Sequence, residues 1–163
     1  MSTLYVDNLQ PNLGSRVMAA GHVVQVVSNQ SNASFSSSGG DASFSNVLSA
    51  TITPTSASSK IKITTCAIYY CTNTSSSVNH RFRLVRDGNP LSDYNGAQDS
   101  GSAQYLQYRT SAVNNHIPVP FNFTWINSPN TTSATTYTLQ VLATTSSMLL
   151  YEGGFIFLEE IAQ

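Results

Sequence analysis

The chain has 163 residues and a mass of 17.5 kDa, and only 9% of its residues are charged although 40% are apolar. A chain of this length builds one hydrophobic core, and intrinsic disorder is excluded because it needs low hydrophobicity with high net charge. A net charge of -1 provides no long-range field to attract nucleic acid or an anionic membrane, so we expect neither partner.

Residues 1–20 are predicted to form an N-terminal arm. Pro11 and Gly14 interrupt this short segment, which cannot build a core of its own. The start has no basic region followed by an apolar one, so we expect no secretory signal and synthesis in a cytoplasm. We expect the arm to dock on a neighbouring protein through its apolar side chains, which are Leu4, Tyr5, Val6, Leu9 and Leu13.

Alternation of apolar and polar residues recurs from Val23 to Ile161, and it predicts about eight β-strands. Clusters of Ser, Thr, Asn and Gly between the strands favour turns. The pattern predicts an all-β antiparallel β-sandwich of the jelly-roll type over residues 21–163. The predicted strands are residues 22–27, 44–53, 60–71, 78–85, 103–110, 119–125 and 137–143, and a bent run over 148–161 interrupted by Gly153 and Gly154.

Three of these strands are apolar on both faces: the first at Val23 and Val24, the third around residues 67–70, and the last over 148–150 and 155–158. A sandwich strand normally buries one face and exposes the other to water. We expect a second copy of the chain to cover the extra face, since symmetric homo-oligomers are the commonest assemblies; the alternative is a long loop folded over the sheet. The predicted interface residues are Val24, Ile68, Tyr70, Leu150, Ile156 and Leu158.

The sequence predicts no enzyme, metal or cofactor site. Eight acidic residues offer few carboxylate pairs, and Glu159 and Glu160 point to opposite faces of one strand. The three histidines lack zinc-ligand spacing, and His80 is interpreted as a core residue. Cys66 and Cys71 lie about 16 Å apart in one extended run and are expected to be reduced.

Two surface features could bind a ligand. The loop with Asp93, Tyr94, Asn95 and Gln98 could coordinate a cation or contact a glycan, although such residues in a Gly/Ser-rich loop are more often only a solvated turn. The loops 28–41 and 91–104 are the candidates for an exposed tip. If strands three and four pair, a second feature is a cationic patch for an acidic polysaccharide, formed by Lys60, Lys62, Arg81 and Arg83.

Several segments carry a resemblance to a known family. Residues 2–10, 21–27, 52–61, 82–88, 128–137 and 157–162 resemble, in order, phrases of short tail-fibre and virion structural proteins of tailed bacteriophages, especially aquatic phages. The family resembles trimeric jelly-roll modules whose N-terminal segment joins a fibre shaft, tail or capsid. This chain lacks the shaft, since its arm leads straight into the sandwich.

The resemblance implies a homotrimeric tail-fibre module in the virion. Its arm would bind other virion proteins of the tail, baseplate or capsid, and its loops would attach to host surface polysaccharide. The alternatives are a capsid decoration protein, whose arm and one face clamp neighbouring shell subunits, and a polysaccharide depolymerase.

Overall fold

The structure is a computed structural model, and it describes residues 20–31, 35–37, 39–40, 43–72, 78–91, 106–110, 117–143, 147–150 and 154–163. These residues form eleven β-strands and no helix. The strands are β1 (Val23–Ser31), β2 (Phe35–Ser37), β3 (Ser45–Ile52), β4 (Lys60–Thr72), β5 (Val78–Arg86), β6 (Asn89–Pro90), β7 (Leu106–Thr110), β8 (Ile117–Asn127), β9 (Thr135–Ala143), β10 (Ser147–Leu150) and β11 (Gly154–Ile161).

The strands form two antiparallel sheets. Sheet A is centred on the long strand β4, which pairs with β8 along one edge and with β11 and then β10 along the other; β1 pairs with β11, and β2 with β10. Sheet B runs β3, β9, β5, and both β6 and β7 pair with the far edge of β5. This architecture confirms the predicted all-β antiparallel sandwich.

The core lies between the sheets, where alternate side chains of facing strands meet. The inward faces predicted for β3 and for β4 are confirmed, because every member is at most 7% exposed. Burying a side chain of this size contributes about 1.5–3 kcal/mol, which explains why two-residue periodicity positions these strands. The residues confirmed in this way are Leu48, Ala50, Ile52, Ile61, Ile63, Thr65, Ala67 and Tyr69, and also His80, Phe82 and Leu84 of β5.

The bent C-terminal run is confirmed as two strands in line. β10 and β11 pair in succession with the same edge of β4, with Leu150 opposite Tyr69 and Phe155 opposite Cys66. The chain therefore takes five residue steps from Leu150 to Phe155, whereas β4 takes three from Tyr69 to Cys66. Gly154, the first residue of β11, packs closely against Leu48, because a Cβ atom at this position would lie 3.1 Å from the Leu48 Cδ1 atom.

The prediction that residues 28–41 form an exposed loop is wrong in part. Ser28–Ser31 continue β1 and pair with β11, and Phe35–Ser37 form β2 against β10. The neighbouring strands supply backbone hydrogen-bond partners that outweigh the turn preference of a Ser-rich segment. Of the second predicted tip loop, 91–104, the structure describes only Leu91, which is buried.

The sandwich has a terminal end, which we define as the end where Gly21 donates its N–H to the Ala162 carbonyl at 2.8 Å. The last residues of β3, β5, β8 and β11 and the first of β1, β4 and β9 meet at this end. Residues 1–19, with the predicted anchors Leu4, Tyr5, Val6, Leu9 and Leu13, lie outside the described residues, so the boundary of the arm stays a prediction.

Candidate functional site on the outer face of sheet A

The outer face of sheet A, meaning the side turned away from the core, carries transverse rows of side chains in register. One row consists of Val26, Glu159, Lys62 and Ile126, each opposite the next across neighbouring strands. The Lys62 Nζ atom lies 2.6 Å from Glu159 Oε2, so the two central charges neutralise each other. Apolar side chains flank this ion pair at both edges of the sheet.

Exposed apolar side chains are concentrated on this sheet. Among the side chains that the structure describes, which do not include those of β7, every large hydrophobic one that is strongly exposed belongs to β1, β4, β8 or β11. Residues scattered singly over a surface are ordinary, whereas a set confined to one sheet marks a contact surface. The set consists of Val23 (49% exposed), Val26 (56%), Ile68 (50%), Ile126 (52%) and Phe157 (36%).

The two-faced apolar strands singled out from the sequence are β1, β4 and the β10–β11 run, and all three are neighbours in sheet A. Ile68 is half exposed, and Tyr70 and Val24 are partly exposed. The side chain of Leu150 lies outside the described residues. Sequence reasoning missed Ile126, whose strand is apolar mainly on the other face, at Phe121, Phe123 and Trp125.

The prediction that Ile156 and Leu158 lie at an interface between copies is wrong. Both side chains are fully buried in the core of the subunit itself. The outer positions of β11 are Phe155 and Phe157, whose rings contact edge-on at 4.9 Å. A run of four apolar residues gives no signal for which alternate pair faces inward.

The predicted cationic patch is also wrong. β4, with Lys60 and Lys62, belongs to sheet A, whereas β5, with Arg81 and Arg83, belongs to sheet B, so the two strands do not pair. Lys62 is bound to Glu159. Alternation along each strand was right, but the patch required a pairing that only the sheet order decides.

One row on the outer face of sheet B is polar and internally hydrogen-bonded, whereas Val85 and Leu142, at other outward positions of this sheet, are apolar and buried. Gln140 donates to the Asn46 Oδ1 atom at 2.6 Å and accepts from Arg83 Nε at 2.7 Å. The Arg83 guanidinium also lies 3.9 Å from the centre of the Phe44 ring, and burial lowers its pKa. This row needs no further partner.

A buried carboxylate ties three segments together at the terminal end. Glu160 is fully buried, and its Oε1 atom accepts from the N–H and the hydroxyl of Thr55, both at 2.8 Å. Its Oε2 atom accepts from Gln25 Nε2 at 2.6 Å. Burial alone would raise the pKa of Glu160, but hydrogen bonds from Ser59, Gln25 and Thr55 outweigh it and hold the pKa below its ordinary value. The sequence gives no signal for this role, because polar residues of strands usually face water.

A pocket of about 270 Å³ lies at the same end, between the β5–β6 turn and the end of β8; we call it the terminal pocket. Asn127 in its wall accepts at Oδ1 from Arg86 Nη1 (3.0 Å) and from the Tyr137 hydroxyl (2.9 Å). Burial raises the pKa of Tyr137 to about 12, so the hydroxyl stays a donor at neutral pH. The pocket is lined by Arg86, Asp87, Asn89, Pro90, Leu91, Asn127 and Ser128.

The described residues contain no group of three or more His, Cys, Asp or Glu side chains that could hold a metal ion. Asp93, Tyr94, Asn95 and Gln98 lie outside them, so that loop stays a prediction. His80 is fully buried, with its ring edge-on to Tyr69 at 5.8 Å. No helix in the described part of the chain is long and apolar enough to cross a membrane.

The two sheets define the class of the chain, an all-β antiparallel sandwich. No protein-family model matches it, and none of the curated proteins does. Among solved structures, a chain from the structure of infectious bursal disease virus Gx strain is similar over 97% of this chain, with 12% identity and a TM-score of 0.40. The alignment covers 42% of that viral chain, so this chain spans less than half its length.

Proposed function

We propose that this chain is a virion structural protein that assembles as a homotrimer through the outer face of sheet A. One observation carries the proposal: the strongly exposed large hydrophobic side chains of the described residues all lie on that sheet. Each of the five is about half exposed, so covering the remainder is worth roughly 1 kcal/mol per side chain, and together they favour assembly.

A second copy of the same chain suits this face better than an unrelated cover. The face mixes apolar side chains with the Lys62–Glu159 ion pair, and Lys60 is a further charged side chain on it. In a closed trimer such a face packs on a different patch of the next copy, and symmetric homo-oligomers are the commonest assemblies.

The strand order supports the finer proposal of a jelly roll. β1, β11, β4 and β8 form one four-stranded layer, and β3, β9, β5 and β7 form the other. Eight strands in two antiparallel sheets are the architecture of jelly rolls, which are common in viral proteins. Together with the resemblance to short phage fibre proteins, this supports a virion module.

Within this proposal the module belongs to a tail fibre, the arm of residues 1–20 anchors it, and its loops attach to host surface polysaccharide. Three copies on one fibre raise the strength of a weak attachment through avidity. We propose no catalytic activity and no cofactor. A depolymerase would instead release reducing ends from host polysaccharide.

The mass of the purified chain in solution tests assembly. We expect three times the 17.5 kDa subunit mass in light scattering. A soluble monomer with the outer face of sheet A in water would contradict the proposal.

Immunogold labelling of intact particles tests location. Label on the tail supports the fibre module, whereas label on the head facets favours the capsid decoration protein. Removal of residues 1–20 should leave a folded oligomer that no longer attaches to particles, and loss of folding would contradict the anchoring role of the arm.

A further inference from the structure

The terminal pocket has the properties of a binding site that the proposed assembly does not use. None of its lining residues lies on the outer face of sheet A, so assembly through that face leaves them outside the interface. Its β8 wall is also three strand positions from β1, about 14 Å across the sheet. Val23, where β1 begins, is therefore on the far side of the terminal end.

Asn127, in the wall of the pocket, has side-chain hydrogen-bond donors that no described residue accepts. Asn127 is only 4% exposed, and in the described part of the chain its hydrogen bonds are the two that Oδ1 accepts. A carboxamide whose oxygen is saturated still has two N–H donors. These donors belong to a residue that lines the pocket, so a ligand there should offer acceptors.

Arg86 adds a fixed positive charge. Its Nη1 atom donates to Asn127 Oδ1 and to the Ser128 carbonyl at 3.3 Å, and the guanidinium also hydrogen-bonds the Tyr137 hydroxyl. These contacts hold the guanidinium plane in place, and the group has further N–H donors for a ligand in the pocket. A guanidinium fixed in this way can donate to a carboxylate.

The opposite side of the pocket offers an acceptor and an apolar surface. Asp87 has the positive φ of 49° and its Oδ1 accepts from the Thr136 N–H at 2.8 Å, so its carboxylate is held in one orientation. A bare anion filling the pocket would be repelled by that carboxylate, but a hydroxyl group can donate to it. Pro90 and Leu91 supply apolar contact for carbon-bound hydrogens.

The occupant must therefore combine one carboxylate with several hydroxyl groups on a compact apolar ring. The pocket, with a volume of about 270 Å³, is far larger than the space that one water molecule needs. That space suits a single pyranose ring.

We infer that the terminal pocket binds one uronic acid residue of an acidic surface polysaccharide. Arg86 holds its carboxylate, and Asn127 and Asp87 hydrogen-bond its hydroxyl groups. The inference rests on the proposed function in one respect, because host attachment is what would present such a polysaccharide to the protein.

The test titrates the full chain with glucuronate, glucose and acetate, with chemical-shift changes as the readout. We expect glucuronate to bind and to shift the resonances of Arg86 and Asn127, and we expect glucose to bind at least about tenfold more weakly because it lacks the charged partner. Acetate should also bind more weakly, because it lacks the hydroxyl groups. Glucuronate binding should weaken as salt is added.

Variants assign the binding to the pocket. Arg86→Gln should weaken glucuronate binding by about tenfold or more, whereas the matched control Arg83→Gln, on the same strand but in the polar row of sheet B, should leave it unchanged. Asn89→Ala changes an exposed lining residue without touching the contacts of Asn127, so it tests the site even if Arg86→Gln fails to fold. It should weaken binding by a smaller factor.

Three results would overturn the inference: no binding of glucuronate, equal binding of acetate, or equal loss in both arginine variants. If acetate binds as tightly as glucuronate, the pocket recognises a carboxylate group alone, and a carboxylate side chain of another protein is then its ligand. Particle labelling is an independent measurement. If the protein is found on particles but does not bind glucuronate, only this inference is overturned. If it binds glucuronate but is absent from particles, only the proposed function is overturned.

Discussion

The outer faces of the two sheets differ although both are built from alternating strands. In sheet B, Asn46, Gln140 and Arg83 form a row in which the side chains hydrogen-bond one another. In sheet A, the corresponding row places Val26 and Ile126 at its edges around a single ion pair. One face satisfies its groups within the subunit, and the other leaves apolar area in water.

This difference separates what a lone subunit needs from what an assembly needs. A polar row such as that of sheet B contributes equally in a monomer and in an oligomer. An apolar row contributes only when another surface covers it, since hydrophobic stabilisation scales with area removed from water. The following predictions test whether the row of sheet B stabilises the subunit itself and the outer face of sheet A stabilises the oligomer.

The largest effect is expected from charging the outer face of sheet A. Ile68→Lys combined with Phe157→Lys should convert the oligomer to a monomer, because each substitution removes roughly 1 kcal/mol of apolar burial in the interface and places an ammonium there. Light scattering gives the mass. Ser49→Lys with Thr51→Lys adds the same charge to exposed positions of β3 in sheet B and should leave the mass unchanged. An unchanged mass in the sheet A variant would rule out this face as the interface.

Next in size is the buried carboxylate that joins β1, β11 and the segment after β3. Glu160→Gln should lower the free energy of unfolding by about 1–3 kcal/mol, because the amide puts a donor where Thr55 and Gln25 also donate. Urea unfolding at neutral pH measures the loss. Glu159→Gln changes the partly exposed neighbour on the other face and should cost less than about 1 kcal/mol.

The same carboxylate predicts acid sensitivity. The pKa of Glu160 is lowered in the folded state from 4.5, so its contribution is present above the unfolded pKa and is lost as pH falls through the folded value. Stability of the natural protein should therefore fall below about pH 4. Glu160→Gln should show a flatter acid dependence, and an identical slope would show that the carboxylate is not the titrating group.

A fourth prediction concerns Tyr137, which is buried in the core between the two sheets. Its folded pKa of about 12 exceeds the unfolded value of about 10, so its contribution is complete below pH 10 and is lost as pH rises through 12. Tyr137→Phe should flatten the alkaline unfolding curve and cost about 1 kcal/mol at neutral pH through loss of the bond to Asn127. An alkaline slope that survives the substitution would exclude this hydroxyl as its source.

The smallest effects compare single members of the two rows. Gln140→Ala should cost about 1 kcal/mol in unfolding free energy, because it removes two hydrogen bonds at once, and it should leave the mass unchanged. Lys62→Ala breaks a partly exposed ion pair and should cost at most about 1 kcal/mol. A larger loss of unfolding free energy for Lys62→Ala than for Gln140→Ala would contradict the expectation that the row of sheet B contributes more to the stability of the subunit.

Local chemistry made much of the fold predictable. Ile61, Ile63, Ala67 and Tyr69 were correctly placed inward because successive side chains of a strand must point to opposite faces. Prediction failed where successive residues are all apolar, because their pattern then does not distinguish the inward face from the outward face. Between Phe155 and Leu158 every residue is apolar, and the inward pair follows from Gly154, whose inward position leaves no room for a side chain against Leu48.

The candidate sites were less predictable than the fold. Asn127 and Arg86 are far apart in sequence and meet only because β8 and β5 end at the same end of the sandwich. Glu160 reads as a surface residue until Gln25, Thr55 and Ser59 surround it. Neither arrangement has a local pattern, since each joins residues from several strands.

The sequence by itself determined that this protein is an antiparallel β-sandwich with more apolar strand surface than one core can use, because side-chain direction along a strand is a local property with a period of two. Only the tertiary structure decided that the excess lies on one sheet, that the lysines and arginines lie on different sheets, and that Arg86 and Asn127 share a pocket. Those outcomes depend on which distant strands pair, and pairing is settled by the packing of the whole chain.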